Sequence, residues 1–178
     1  LDDPPRDTAV KDVATCEKAG IRTVMITGDN LITASAIARR IGILKDGTKA
    51  ISGDELNKLS DEELYSNIAE YSVFARISPS DKTRIIKAWQ SAGAVVTVTG
   101  DSIQDGEALS AADVGCAVGK FGADVAKGNA DIIIKNNRFN SVVNAVKESR
   151  GLFDNIKKSV YYLISCNFAE LLSVLIGM

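Results

Sequence analysis

Short apolar runs alternate with segments of helical period along most of the chain, and the alternation gives way near the C-terminal end to one long apolar stretch. Arg22-Thr23-Val24-Met25-Ile26 reads as a buried strand, interrupted by Thr27-Gly28-Asp29-Asn30. Leu31 to Ile41 then carries helical spacing, with Ile37 and Ile41 inward and Ile32, Ser35, Ala36, Arg39 and Arg40 outward. Upstream, Thr8 to Ala19 carries Val10, Val13, Ala14 and Glu17 in a further helical pattern that Gly20 is placed to end.

Residues 45–70 are more polar. Ile51 to Leu56 and Ser60 to Leu64 read as short capped helices on the surface, Ser60 and Glu63 having the spacing of a capping box. The stretch reads as scaffold. Val73-Phe74-Ala75 is a short strand, and Ser80 to Ala92 a helix with Ile85, Ile86 and Trp89 inward and Gly93 at its end. Ala94 to Val98 is a strand with almost no polar relief, as expected where both faces are covered. After Thr99-Gly100-Asp101 come a helix over roughly Gly106 to Ala112 and two strands, Val114 to Val118 and Ile132 to Ile134. This order predicts an α/β fold, a doubly wound parallel sheet with helices on both faces.

From about Asn140 to Met178 there is no proline and no stop signal. Ser159 to Met178 is twenty residues long with a single charge, Glu170, and Lys157-Lys158 precede it. That length matches one membrane crossing, and the lysines sit where a cytoplasmic flank puts them. A continuous helix here is on the order of 60 Å long, which suits a stalk entering a bilayer. A buried core helix is the alternative at this length.

Composition narrows the chemistry. The formal charge is -2, from 21 basic and 23 acidic residues, and no basic stripe calls for a nucleic-acid partner. There is no histidine, which removes Ser-His-Asp triads, histidine-bound zinc and imidazole acid–base catalysis. Cys16, Cys116 and Cys166 are far apart and have no zinc spacing, and they read as apolar thiols in a reducing compartment. The chain begins without methionine and ends inside an apolar run, so both ends read as cut.

Chemistry then rests on carboxylates, hydroxyls and lysines. Thr-Gly-Asp occurs twice, at 27–29 and 99–101, each time directly after a strand. In an open α/β sheet ligands bind at the carboxyl ends of strands, so both turns are expected to line one crevice. A threonine hydroxyl and free backbone N–H groups there suit phosphate oxygens, and an aspartate suits magnesium. Asp101 and Asp105 are four apart and could face one cation, or could simply serve the turn and cap the helix. Lys82 opens the helix after Arg76-Ile77-Ser78-Pro79 and could reach the crevice, where a lysine neutralises developing charge. Asn167 and Glu170 are three apart on one helix face, and an acid within a membrane span points to a functional site.

These residues carry a resemblance. Asp3-Pro4-Pro5-Arg6, Met25 to Asn30, Phe74-Ala75-Arg76 leading through Pro79 to Lys82, Thr99-Gly100-Asp101 through Asp105, Ala112 to Gly115 and Ala123 to Lys127 resemble, in order, the motifs of P-type cation-transporting ATPases. The phosphorylation domain of that family is haloacid dehalogenase-like, of Rossmann type. Tyr162 to Glu170 is similar to the fifth transmembrane helix of calcium pumps, and sodium/potassium pumps carry a related Asn-x-x-Glu.

The resemblance implies a division into the C-terminal portion of a phosphorylation domain (1–139), a stalk helix (140–158) and the start of a transmembrane helix (159–178). It implies a multi-pass membrane protein with 1–139 in the cytoplasm, using ATP and Mg2+ and moving a cation, calcium above others, through an aspartyl-phosphate. Asp101 would hold magnesium with Asp105 in support. Thr27 and Lys82 would contact the phosphoryl group, and Asp29 would help close the site over nucleotide. Gly28, Arg76, Thr99, Gly100 and Gln104 would complete the nucleotide and phosphate contacts, and Asn167 and Glu170 would hold the transported cation. The nucleophilic aspartate of the DKTGT motif is not in these residues and is expected upstream, with the nucleotide-binding, actuator and other transmembrane parts. The hinge departs from the family's GDGVND: it reads GDSIQD, with Ser102 for a glycine, Gln104 for an asparagine and Gly106-Glu107 for Ala-Pro. Ser102 is expected to be strained if its position needs a positive φ. A degenerate, non-catalytic relative and a soluble phosphatase of the same superfamily are the alternative readings.

Overall fold

In a computed structural model, residues 7–119, 128–135 and 138–177 are described. They divide into two compact units that part between Val142 and Val143. The DPPR motif at 3–6 and the Ala123 to Lys127 motif lie outside the described residues.

The first unit opens with helix α1 (Asp7–Lys18), which buries Val13 and Cys16 and ends ahead of Gly20 at φ 72°. Strand β1 (Met25–Ile26) leads into α2 (Leu31–Ile41). Asn30 caps α2 by accepting from the Thr33 amide at 2.9 Å, and Ala34, Ala38 and Ile41 form its buried face. Strand β2 (Lys49–Ser52) and the short helices α3 (Gly53–Leu56) and α4 (Asp61–Asn67) follow. Strand β3 (Tyr71–Ala75) runs into α5 (Pro79–Ser91), whose start is fixed by Ser78 as N-cap and Pro79 at the first helical position. Strand β4 (Thr97–Gly100), α6 (Gly106–Ala111), β5 (Val114–Val118) and β6 (Ile132–Ile134) complete the alternation before α7 (Phe139–Gly177).

Every strand pair is parallel, as the alternating pattern predicts. Among the described residues the ladders form two three-stranded parallel sheets, β1-β3-β2 and β4-β5-β6. Strand β3 is central in the first, with Ile26 and Ile51 both in register with Phe74. Its side chains alternate between two cores. Val73 and Ala75 join Val13, Ala34, Ala38 and Ile41 on one face, and Phe74 joins Leu56, Leu64, Ile68 and Ile85 on the other. Such double-sided burial is the physical content of a doubly wound sheet.

Three sequence expectations need correction. The stretch 45–70 is not wholly surface scaffold. It contains β2, and Leu56 and Leu64 are fully buried. The capping boxes are present at Ser52/Glu55 and Ser60/Glu63, so the caps were legible while the inward leucines were not. The strand expected over 22–26 narrows to Met25–Ile26, the two residues in register with β3, while the Arg22 guanidinium donates to Tyr71 O (3.2 Å) and Ser72 Oγ (3.1 Å) and lies over the Trp89 ring. The strand expected over 94–98 begins at Thr97, and it is not covered on both faces. Val95 lies ahead of β4 and is 82% exposed, and Thr97 and Thr99 are exposed while Val98 is partly buried and packs against Leu109 and Ala117, so only one face of the strand is covered.

Helix α7 is 39 residues long and contains a window apolar enough to cross a membrane, with mean hydropathy 1.6. Residues 151–177 are exposed throughout. The hydroxyls of Ser159, Ser165 and Ser173 each donate to the carbonyl four residues back, at 3.1, 2.8 and 2.8 Å. Their polarity is thereby satisfied within the helix.

Backbone crowding at one glycine gives a direct test of the packing. A Cβ on Gly53 would stand 2.4 Å from the Arg76 carbonyl oxygen, whereas one on Gly28 would meet nothing within 4 Å. Gly53→Ala is expected to cost about 1–3 kcal/mol. Gly28→Ala should stay within about 0.5 kcal/mol of wild type. Urea unfolding of the two variants measures both.

Candidate functional site

The first Thr-Gly-Asp leaves the carboxyl end of β1, whereas the second overlaps the carboxyl end of β4, whose last two residues are Thr99 and Gly100, so there only Asp101 lies beyond the strand. The first is fastened to the exit of β3. The Thr27 amide donates to Phe74 O at 2.9 Å, the Arg76 amide to Asp29 O at 2.9 Å and the Ile77 amide to Thr27 O at 3.1 Å. Within the turn the Asp29 amide donates to Thr27 Oγ1, and the Thr27 hydroxyl donates to Asp29 Oδ2, both at 3.1 Å. Arg76, exposed at this junction, has φ 53°, the only positive value at a non-glycine position among the described residues. A left-handed residue of this kind is uncommon and clusters at ligand-binding turns.

The second turn is organised by Asp105. Its Oδ2 accepts from the Ser102 hydroxyl at 2.8 Å, the Ser102 amide at 3.2 Å and the Asp101 amide at 3.3 Å. Its Oδ1 accepts from Lys82 Nζ at 2.5 Å. Gly100 makes this possible, since a Cβ there would lie 2.6 Å from the Asp105 Cβ. Lys82 belongs to the first turns of α5, so this ion pair joins the element that follows β3 to the turn that follows β4. A run of contacts thus leads from Thr27 and Asp29 through Arg76, Ile77 and α5 to Lys82, Asp105 and the Asp101 loop.

Asp105 is buried. Burial by itself raises its carboxyl, but the hydrogen bonds from Lys82 and Ser102 outweigh that, and the group is held below the ordinary carboxylate range. Asp101 is exposed, and its carboxylate has no hydrogen bond among the described residues. The two aspartates therefore do not face one cation on equal terms: Asp105 is spent on Lys82 and the loop, and Asp101 is free. No three acidic, cysteine or histidine side chains converge among the described residues. The donor set still fits magnesium, which is held through one or two carboxylates and keeps several waters.

The other expected site residues fall as follows. Thr99 and Gln104 are exposed on either side of Asp101, with no side-chain hydrogen bond among the described residues. Gly28 is exposed and not crowded. Asn167 and Glu170 are exposed on α7, in the second unit. Ser102 corrects the sequence reading. Its φ is -122°, an extended conformation open to any residue, so its side chain brings a hydrogen bond and no strain. The signal available in the sequence was the three-residue spacing to Asp105, which places a hydroxyl opposite a carboxylate.

The geometry is that of an α/β domain with a lysine–carboxylate site at the carboxyl ends of parallel strands. Comparison with known proteins makes the family explicit. The profile of the haloacid dehalogenase-like hydrolases matches residues 1–113, and the chain belongs to that family. It is 50% identical over 177 residues to calcium-transporting ATPase 1 of Bacillus cereus, covering 99% of this chain and 20% of that protein. A probable cation-transporting P-type ATPase of Mycoplasma pneumoniae is 41% identical over 178 residues, covering all of this chain and 20% of that protein. Potassium-transporting ATPase alpha chain 1 of Xenopus laevis is 40% identical over 200 residues, covering 98% of this chain and 19% of that protein. The chain thus spans about one fifth of the length of the curated relatives it matches.

Because the folded state depresses the Asp105 pKa, its contribution to stability is fully present above the unfolded carboxylate value near ~3.9. It is lost as pH falls through the lower folded value. Asp105→Ala is expected to cost about 1.5–3 kcal/mol at neutral pH, the range for a charged hydrogen bond. It should also flatten the acid limb of a plot of Tm against pH. Thermal melts of wild type and variant between neutral pH and strong acid check both.

Proposed function

We propose that this chain is part of an ATP-driven cation pump of the P-type, with calcium as the transported ion. The observation that carries the reading is 50% identity along 99% of the chain to a calcium-transporting ATPase, in a segment that contains both the Asp101–Lys82–Asp105 site and a helix of spanning length. Further relatives named for calcium transport, from Lactococcus lactis at 43% identity and Bacillus subtilis at 41%, favour that ion.

In this reading residues 1–139 are the C-terminal portion of a cytoplasmic phosphorylation domain. The nucleophilic aspartate, the nucleotide-binding and actuator parts and the remaining membrane helices are supplied by the rest of the same protein. Asp101 and, through its loop, Asp105 would hold Mg2+, which neutralises phosphate charge when bound. Lys82, paired with Asp105, would offer its ammonium to an oxygen of the transferring phosphoryl group. The Thr27 hydroxyl and the backbone around Gly28, Thr99 and Gly100 offer further donors. Arg76, bonded through its amide to the first turn, and Gln104, in the single turn after Ser102, would add polar contacts, and Asp29 would help close the site over nucleotide. Little covalent chemistry is asked of these residues, because phosphoryl transfer is served by positioning and by charge neutralisation.

Residues 140–158 would form a stalk and 159–178 the beginning of a membrane helix. The exposed apolar surface of α7 and its internally bonded serines suit lipid, where no water satisfies stray polar groups. Asn167 and Glu170 share a face and would offer amide and carboxylate oxygens to the cation. An acid at that depth is expensive unless it serves a site.

Two outcomes are expected in the full-length protein. Asp101→Asn should lower magnesium-dependent ATP hydrolysis by about 10²–10³, the scale for losing one electrostatic stabiliser. Retained turnover would remove Asp101 from the site. Glu170→Gln should shift calcium stimulation of hydrolysis to higher calcium while leaving the folded state intact. An unchanged calcium dependence would remove Glu170 from ion binding.

A further inference from the structure

The Ser102 hydroxyl is the closest of three donors on Asp105 Oδ2, at 2.8 Å against 3.2 and 3.3 Å for the two backbone amides. The amide distances are at the long edge of the hydrogen-bond range, so the hydroxyl is the donor that fixes this oxygen. A carboxylate can exchange its two oxygens by turning about its terminal bond. Here one oxygen is held inside the loop and the other meets Lys82 at 2.5 Å. Within the described residues of the loop the other donors to Oδ2 are the two longer amide contacts, from Asp101 and Ser102. Ser102 has an extended backbone, the adjoining single turn is closed by the Asp105 amide on Ser102 O at 3.2 Å, and Ile103 and Gln104 are exposed.

We propose that Ser102 is a positioning residue for the phosphoryl site: its hydroxyl holds Asp105 Oδ2 in the loop, aims Oδ1 at Lys82 and leaves Asp101 as the free carboxylate. The proposal rests on the phosphoryl-site reading above and adds a residue to it. The consequence is a division of labour. Asp105 orients the lysine, and Asp101 alone among the described residues of this loop presents an uncommitted carboxylate. Ser102 acts through Asp105 and touches no reacting atom.

The test uses the full-length protein carrying this chain, with Ser102→Ala and Ser102→Thr. Amide hydrogen exchange over 99–106 without magnesium should be faster in S102A by roughly threefold to tenfold, the factor for one lost hydrogen bond, and restored in S102T. Turnover should fall by a similar factor while the magnesium concentration for half-maximal activity stays within about twofold, and S102T should recover turnover. Unchanged exchange in S102A overturns the proposal. So does intact turnover with a large shift in magnesium dependence, which would make Ser102 a cation ligand. If S102A does not fold, S102G provides the hydroxyl-free comparison with the same outcomes. Should the protein hydrolyse no ATP, exchange still decides the role of Ser102, so failure of the pump reading and failure of this inference are told apart.

Discussion

Lys82 Nζ lies 2.5 Å from Asp105 Oδ1, and the two side chains come from elements that follow strands of different sheets. Lys82 is placed by β3, which is buried on both faces and delivers the chain to the Ser78–Pro79 start of α5. Asp105 is placed by β4 and by the tight Gly100 turn. The pair is charge-assisted and only partly screened, with side-chain exposures of 24% and 11%. Its net value is modest, about 1–3 kcal/mol, because both groups are desolvated to make it. Its importance lies in geometry: it brings a lysine, an aspartate and the Asp101 loop to one place. Neighbouring contacts between α5 and α6, such as Gln90 Nε2 on Ala111 O at 3.0 Å, keep that register.

How much of this was legible in the sequence follows from what each signal measures. Periodicity located α1, α2 and α5 closely, because each has an inward face and a capping or stop residue, and it located α6, which buries Ala108 and Leu109 without a side-chain cap. It located β3, β5 and β6, whose residues are largely apolar. It missed β2, where Lys49-Ala50-Ile51-Ser52 offers one buried side chain, so pattern alone cannot separate it from a loop. It misjudged β4 because Val95 and Val96 look like core residues, while Val95 lies outside the ladder and is exposed. Hydropathy reports what a side chain prefers, and the pairing that decides burial is non-local.

The site was legible in its parts and not in its wiring. Two Thr-Gly-Asp turns, Lys82 and Asp105 could be picked out by type and spacing. That Asp105 is committed to Lys82 could not, since the residues are 23 apart and the contact depends on two sheets. The same holds for the left-handed Arg76, which no residue-type rule anticipates. Ser102 is the opposite case: its three-residue spacing to Asp105 is a short-range signal present in the sequence, and its extended backbone carries none of the strain that a positive φ would bring.

The proposed function has this chain complete a site at which an aspartate elsewhere in the same protein would take the phosphoryl group of ATP during cation transport. The most direct measurement is labelling of the full-length protein with terminally labelled ATP and magnesium, with and without calcium, followed by acid quench and treatment with hydroxylamine. The account predicts calcium-dependent label that survives acid and is released by hydroxylamine, as an acyl phosphate is. No label under any of these conditions, or label that resists hydroxylamine, would contradict it.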